Sequence, residues 1–366
     1  MLSLRANMTP NIWNSKTEIC DEEDLRKKNH SRVISPTVKN KKGTRSGYKT
    51  CTKIEEWFGF KTKLKWKNIA LLIFLHIGSL YSFYTVDILG NITTVVWMIF
   101  LGAIQAIGIT AGVHRLWSHH AYKAKLPLRA LLLIFYTVAV QNKISDWVQD
   151  HRVHHKYTDT DADPHNSNRG FFFSHIGWLM MKKHSEVIRR GREIDMSDVL
   201  TDPVVVFDDK YSVILRFIFC FGLPVVIPVY GWDETWIRSV QMQWFFRYVI
   251  GLNCTWSVNS LAHIWGSKPY DAHINPANNK LVAFLTYGEG WHNYHHVFPW
   301  DYKADELGNY MLNITTMFID FFAKIGWAYD LKQPSQQLVM SVVTKRGDGS
   351  HHMWDPVAYP NSKIEE

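Results

Sequence analysis

The chain has 366 residues, 46% of them hydrophobic, and 41 Lys and Arg against 33 Asp and Glu, a net charge of +8. That length allows one large domain or two ordinary ones, and the positive balance first suggests a nucleic-acid partner. The placement of charge argues against one: residues 1–67 hold 16 basic and 7 acidic residues, and no basic stripe interleaved with aromatics follows. Cys20, Cys51, Cys220 and Cys254 lack C-x-x-C spacing, so neither a disulfide framework nor a thiolate zinc site is expected.

Residues 1–55 read as a basic, mostly disordered cytosolic tail. They carry no apolar stretch of signal-peptide type, and the acidic "CDEED" at 20–24 does not suit a mitochondrial transit peptide. The expected main domain, 56–349, contains four apolar stretches near the ~20 residues that a bilayer core requires. They run over 68–89, 93–113, 211–230 and 240–259, as two hairpins. Arg216 and Arg247 lie in the last two and must pair or snorkel. Residues 1–67, the 114–210 segment and the residues after 259 hold 38 of the 41 basic residues, so the positive-inside rule puts all three in the cytosol. Two shorter apolar stretches, 128–140 and 170–181, read as core or interfacial helices of that side. The expected fold is an all-α integral membrane protein: four transmembrane helices capped by a cytosolic helical domain, 114–210 and 260–349, with a flexible tail at 350–366.

Nine of the 18 histidines fall in four groups. "HRLWSH" contributes His114 and His119, and "HRVHH" contributes His151, His154 and His155. "NSLAH" contributes His263 with Asn259 one turn before it, and "HNYHH" repeats the H-x-x-H-H spacing with His292, His295 and His296. On a helix, His151 and His155 share a face, while His154 points about 100° away from His155. Nine imidazoles exceed one metal and suit two, and an all-nitrogen donor set points to redox rather than structural zinc chemistry. His114 and His119 would diverge by about 140° in a straight helix, so an irregular turn is expected there. His76 reads as an interior hydrogen-bonding residue; His120, His165, His175, His184 and His273 read as supporting or surface groups, and His351 and His352 receive no role.

The stretches "GITAGVHRLWSH", "DHRVHHKYTDTDADPH", "RGFFFSHIGWL" and "YGEGWHNYHHVFPWDY" closely resemble the membrane acyl-CoA desaturases of animals, the stearoyl-CoA delta-9 desaturase-like family, and "GWAYDLK" and "GDGSHH" have an insect-like style. The resemblance implies two iron ions (Fe2+) that activate dioxygen. His114, His119, His151, His155 and His296 would hold one; His154, His263, His292 and His295 would hold the other, with Asn259 supporting a water. It also implies a fatty acyl-CoA substrate in a narrow kinked tunnel, touched by Asn68, Asn142, Asp150, Lys182, Lys183 and Trp256. Electrons would arrive from cytochrome b5 and its NADH-dependent reductase, since no "HPGG" heme module is present.

The implied setting is the endoplasmic reticulum membrane, with both termini cytosolic. One departure concerns Gln149, which stands where vertebrate relatives carry Arg and leaves one coenzyme A contact in doubt. Small residues at Gly102 and Ala106 are expected at the tunnel end. Delta-9 insertion into chains of 16 or 18 carbons is the default outcome. Delta-11 or conjugase activity of pheromone type, or acyl hydroxylation, is the alternative within the family. A metal or lipid transporter is the non-enzyme alternative, disfavoured because the histidine groups lie outside the spans.

Overall fold

The computed structural model describes residues 62–87, 90–306 and 310–354. The tail expected at 1–55 and most of that expected at 350–366 lie outside these residues.

Helix α1 (Trp66–Thr85) is followed by helix α2 (Ile92–Ser118), which the Asn91 side chain caps by accepting from Thr93 N. On α1 nearly every large apolar side chain faces outward: Leu71, Phe74, Ile77, Leu80 and Tyr84 are all more than half exposed. Water would not tolerate so continuous an apolar face, and lipid does. The long helix α8 (Pro203–Trp232) has the same composition. These three are long and apolar enough to cross a membrane, which makes the chain a multi-pass membrane protein. The observed bounds exceed the expected ones most for α8, because Asp202 caps it and Pro203 starts it on the side of the histidine groups.

A further helix, α9, runs without a break over 236–264. It is long enough to cross, at ~1.5 Å per residue, yet it is not among the helices apolar enough to do so on composition alone. The reason is a polar face turned inward. Arg247, 3% exposed, donates to Cys220 O at 2.8 Å, Gln105 Oε1 at 2.8 Å, Val138 O at 3.1 Å and Gln243 Oε1 at 3.2 Å. The expected need of Arg247 for partners is met by carbonyl oxygens rather than by a carboxylate.

Between α2 and α8 lie α3 (Leu126–Ala139), α4 (Ile144–Lys156), and the short helices α5 (Phe171–His175), α6 (Ser185–Gly191) and α7 (Ser197–Leu200). After α9 come α10 (Lys280–Leu285), α11 (His292–Val297), α12 (Ile314–Lys324) and α13 (Gln336–Arg346). Two-residue strands, β1 (Lys123–Ala124) and β2 (Ala328–Tyr329), pair antiparallel and tie the start of α3 to the segment after α12. A core of Val113, Trp117, Leu128, Leu132, Tyr136, Ile144, Val205 and Ile319 packs α2, α3, α4, α8 and α12 together. A second, with Leu72, Leu75, Cys220, Tyr248, Leu252 and Trp256, joins α1, α8 and α9.

Gly108 is where α2 and α3 meet most closely: a Cβ there would lie 2.2 Å from Tyr136 N. From that glycine to Ser118 the helix widens into π-helical turns, and similar turns occupy 217–222 of α8 and 241–247 of α9.

Candidate metal centre

The π-helical end of α2 answers the register problem of His114 and His119. Its i→i+5 bonding, seen in His119 N donating to His114 O at 3.2 Å, brings residues five apart onto one side. The two rings end 5.0 Å apart, edge to face. Helix α4 then presents His151, His154 and His155, α9 presents His263 near its end, and α11 presents His292, His295 and His296.

The nine imidazoles form two groups, in each of which one ring nitrogen per residue lies within 4.8 Å of every other. One group is His114, His119, His151, His155 and His295; the other is His154, His263, His292 and His296. This corrects the expected division, which exchanged His295 and His296. The reason is helical geometry: in each H-x-x-H-H motif the i,i+4 pair shares a face and stays together, while the i+3 residue crosses to the other group. Thus His151 and His155 stand with His295, and His292 and His296 stand with His154. His295 Nε2 lies 2.9 Å from His114 Nε2 and 3.1 Å from His155 Nε2. His296 Nε2 lies 3.1 Å from His292 Nε2 and 3.3 Å from His154 Nε2.

Carboxylates fix which nitrogen faces inward. His154 Nδ1 donates to Asp163 at 2.9 Å, His263 Nδ1 donates to Asp159 at 3.2 Å, and His114 Nδ1 lies 2.8 Å from Glu289 Oε2. A carboxylate can only accept, so His154 and His263 carry their protons on Nδ1 and turn their Nε2 lone pairs inward, and the short contact with Glu289 favours the same tautomer at His114. Lone pairs crowded at about 3 Å repel one another unless a cation sits among them, so the donor set fits a metal. Burial, and after it the neighbouring imidazoles, holds His119, His151, His155, His292, His295 and His296 well below the usual histidine range. Neutral imidazole is the form that ligates. Burial pushes Asp163 and Glu289 upward, but His154 on the first and Arg115 on the second outweigh it and keep both carboxyls below their ordinary range.

The three carboxylates were not singled out from the sequence. Asp159 and Asp163 lie inside the quoted "DHRVHHKYTDTDADPH" and Glu289 just before "HNYHH", so acidic residues close to a histidine motif were the available signal. Arg115, 1% exposed, holds Glu289 in place from Nε at 3.0 Å and Nη2 at 2.9 Å.

Of the supporting histidines, His165 is buried with its ring 4.3 Å from that of His154, and His175 bridges Ser260 and Asn253. His76 lies 2.8 Å from Leu72 O, as expected of an interior group. His184 caps α6, and the His273 backbone N donates to Asp271. His351, given no role from the sequence, is 4% exposed and meets Glu306 at 2.7 Å.

The expected substrate residues are not gathered into one pocket among the described residues. Lys183 pairs with Asp150. Lys182 and Lys183 line a recess with Asp163, Arg169, Trp178 and His184. Asn68 donates to Leu179 O at 3.0 Å, Asn142 is exposed with φ +73°, and Trp256 is buried with its ring stacked on His76 at 6.2 Å. Asn259 lies on α9 one turn before His263, half-buried. Gln149, the departure from vertebrate relatives, donates to Gly191 O at 3.0 Å. A Cβ at Gly102 would meet nothing within 4 Å.

Residues 89–305 match the family model described as fatty acid desaturase. The chain is 49% identical to an acyl-CoA Delta-9 desaturase of Acheta domesticus, over 95% of this chain and 94% of that protein. It is 51% identical to an acyl-CoA Delta(11) desaturase of Spodoptera littoralis, over 80% of this chain and 86% of that one. It is also 49% identical to a (11Z)-hexadec-11-enoyl-CoA conjugase of Bombyx mori, over 80% of this chain and 88% of that one. A match across more than half the chain, together with such identities over four-fifths or more of it, means that the chain belongs to the fatty acid desaturase family of oxidoreductases.

Proposed function

We propose that this protein is an acyl-CoA desaturase that inserts a cis double bond into a saturated fatty acyl-CoA with two iron ions held by the nine histidines. The observation that carries the reading is the convergence of nine imidazoles in two groups, three of them with Nδ1 facing a carboxylate. His114, His119, His151, His155 and His295 hold one ion; His154, His263, His292 and His296 hold the other, where Asn259 supports a water. An unactivated methylene offers neither an acidic proton nor a leaving group, so iron and dioxygen supply the oxidising power. Two electrons come from cytochrome b5 and its NADH-dependent reductase.

The chain's own residues bind, orient and exclude water. Asp159, Asp163 and Glu289 keep their histidines in the ligating tautomer. Trp147, stacked on His151 at 4.8 Å, braces that ring. Lys182 and Lys183, with Asp150, Asn142 and Asn68, receive the coenzyme A portion, and Trp256 lies along the acyl chain. The tunnel continues past Gly102, whose lack of a side chain leaves its end open. Holding one carbon pair beside the iron is an orientation effect and decides where the double bond forms.

Helix α9 serves as the fourth span, its polar face sealed by the Arg247 contacts, and the domain covers 56–349. The basic residues at both ends and between the hairpins support cytosolic termini and a cytosolic metal centre, and the family resemblance supports the endoplasmic reticulum as the membrane. Delta-9 insertion on chains of 16 or 18 carbons is the principal reading. Relatives named for delta-9, delta-11 and conjugase activity share near-equal identity with this chain, which keeps a delta-11 or conjugase outcome as the second reading.

The test is expression in a yeast lacking its own desaturase, fed saturated acids of various lengths, with double bonds located by mass spectrometry. New unsaturation at one position, lost in His154→Ala, is the expected result. Hydroxylated product, or none from folded iron-loaded protein, overturns the reading.

A further inference from the structure

The second residue of "HRVHH" is Arg152, and its side chain turns away from the imidazoles on either side of it. It reaches back to the end of α2. Nε donates to Ser118 O at 3.2 Å and Nη2 to Trp117 O at 2.9 Å. These are among the last carbonyls of the π-helical segment, which its own helix cannot satisfy. The other edge of the guanidinium grips α7: Nη1 and Nη2 meet the two oxygens of Asp198 at 2.9 and 2.7 Å, and Nη1 also donates to Asp195 O at 2.8 Å. His120, at φ +49°, closes the ring, with Nε2 2.9 Å from Arg152 Nη2 and 2.6 Å from Asp198. The side chain is 15% exposed.

We propose that Arg152 is a positioning residue for His119, and through it for the five-histidine metal site. The peptide unit that it holds through Ser118 O is the one that leads directly into His119. Because Arg152 follows His151 on α4, one guanidinium sets the spacing between the His119 and His151 rings, whose Nε2 atoms lie 2.8 Å apart. Only His119 among the nine stands just past a helix end, where the backbone turns into a left-handed residue at 120. The other eight ride on helices that fix them. Lysine has one compact cationic head and cannot address two carbonyls and a bidentate carboxylate together, so charge alone does not substitute. The four-histidine site has no contact with this clamp: His154 is held by Asp163 and His263 by Asp159.

The proposal rests on the two-metal reading, and the experiment separates the two. Full-length protein purified in detergent from iron-replete cells is analysed for iron per chain, before and after exposure to a graded chelator, with its thermal unfolding midpoint recorded. Wild type is expected to hold two ions. Arg152→Lys is expected to keep its fold and release one ion at a chelator concentration roughly 10- to 100-fold lower than wild type, as for loss of an outer support. His263→Ala removes an ion from the other site, so at that chelator concentration the double variant retains none.

A purely structural role for Arg152 would lower the unfolding midpoint and release both ions together, which overturns the proposal. So does a variant holding both ions as firmly as wild type, or a double variant that still holds one at the chelator concentration that strips Arg152→Lys of its weaker ion. Should Arg152→Lys fail to fold, Asp198→Asn keeps the arginine and loosens one side of the clamp; it is expected to weaken one ion only, and an unchanged chelator profile overturns the proposal. Wild type holding fewer than two ions defeats the two-metal reading itself, and this inference with it.

Discussion

Replacing Glu289 by glutamine keeps shape and volume and changes only what the group can accept. In the wild type, Oε1 takes two donors from Arg115 and Oε2 faces His114 Nδ1 at 2.8 Å. Glutamine has one acceptor oxygen, and the buried guanidinium, which cannot lose its protons, claims it. The amide NH2 then faces His114 Nδ1, which must become an acceptor, and the ring proton moves to Nε2. That nitrogen is the one aimed at the five-histidine group, so the ligand is lost through its tautomer and not through its position. Removing such an outer partner weakens metal binding about 10- to 100-fold, or about 1.4–2.7 kcal/mol. Arg115 also loses its charge partner while keeping Tyr302 O, Lys303 O and Thr316 Oγ1, so folding stability falls by roughly 3–5 kcal/mol or less. Chelator titration of iron in the purified variant, beside thermal unfolding, measures both effects. Unchanged chelator resistance in a folded Glu289→Gln protein would refute the tautomer reasoning.

Gly108→Ala puts a Cβ 2.2 Å from Tyr136 N and 2.3 Å from Phe135 C, backbone atoms that cannot step aside. It should destabilise the protein by ~1–3 kcal/mol or more and loosen the ion at His114, and an unchanged unfolding midpoint would contradict this close approach. Gly102→Tyr should shift product toward shorter acyl chains in the yeast assay; an unchanged chain-length ratio would remove Gly102 from the tunnel. Stability of the metal-free protein should fall on acidification. Because the six imidazoles held low bind fewer protons folded than unfolded, stability is full above about pH 6.5 and declines below it, by up to about 1.4 kcal/mol per pH unit for each. Urea midpoints at neutral and mildly acid pH measure the slope, and equal midpoints would show that these groups titrate normally.

The histidine motifs are legible in the sequence because their 3- and 4-residue spacing is itself a statement about helix faces. That spacing also contains the division into two groups: the same H-x-x-H-H occurs twice, and the same i,i+4 pair stays together each time. The ligand assignment implied by resemblance exchanges His295 and His296, and the helix geometry puts them back. The join of His114 to His119 needs a π-helical turn, which no local composition announces. Arg247 makes the fourth apolar stretch look costly, and its four acceptors come from residues 4 to 142 positions away, including two backbone carbonyls. Tertiary partners of this kind leave no mark on a hydropathy pattern. Glu289 is hidden for a related reason: its meaning depends on His114 and Arg115, which lie 174 or more residues earlier.

The most direct test of the account is an anomalous difference map at the iron absorption edge from crystals of the full-length protein grown from iron-replete cells. Two peaks are predicted, one bounded by His114, His119, His151, His155 and His295, the other by His154, His263, His292 and His296. A single peak, no peak, or a pair in which His296 joins the first group would contradict the account.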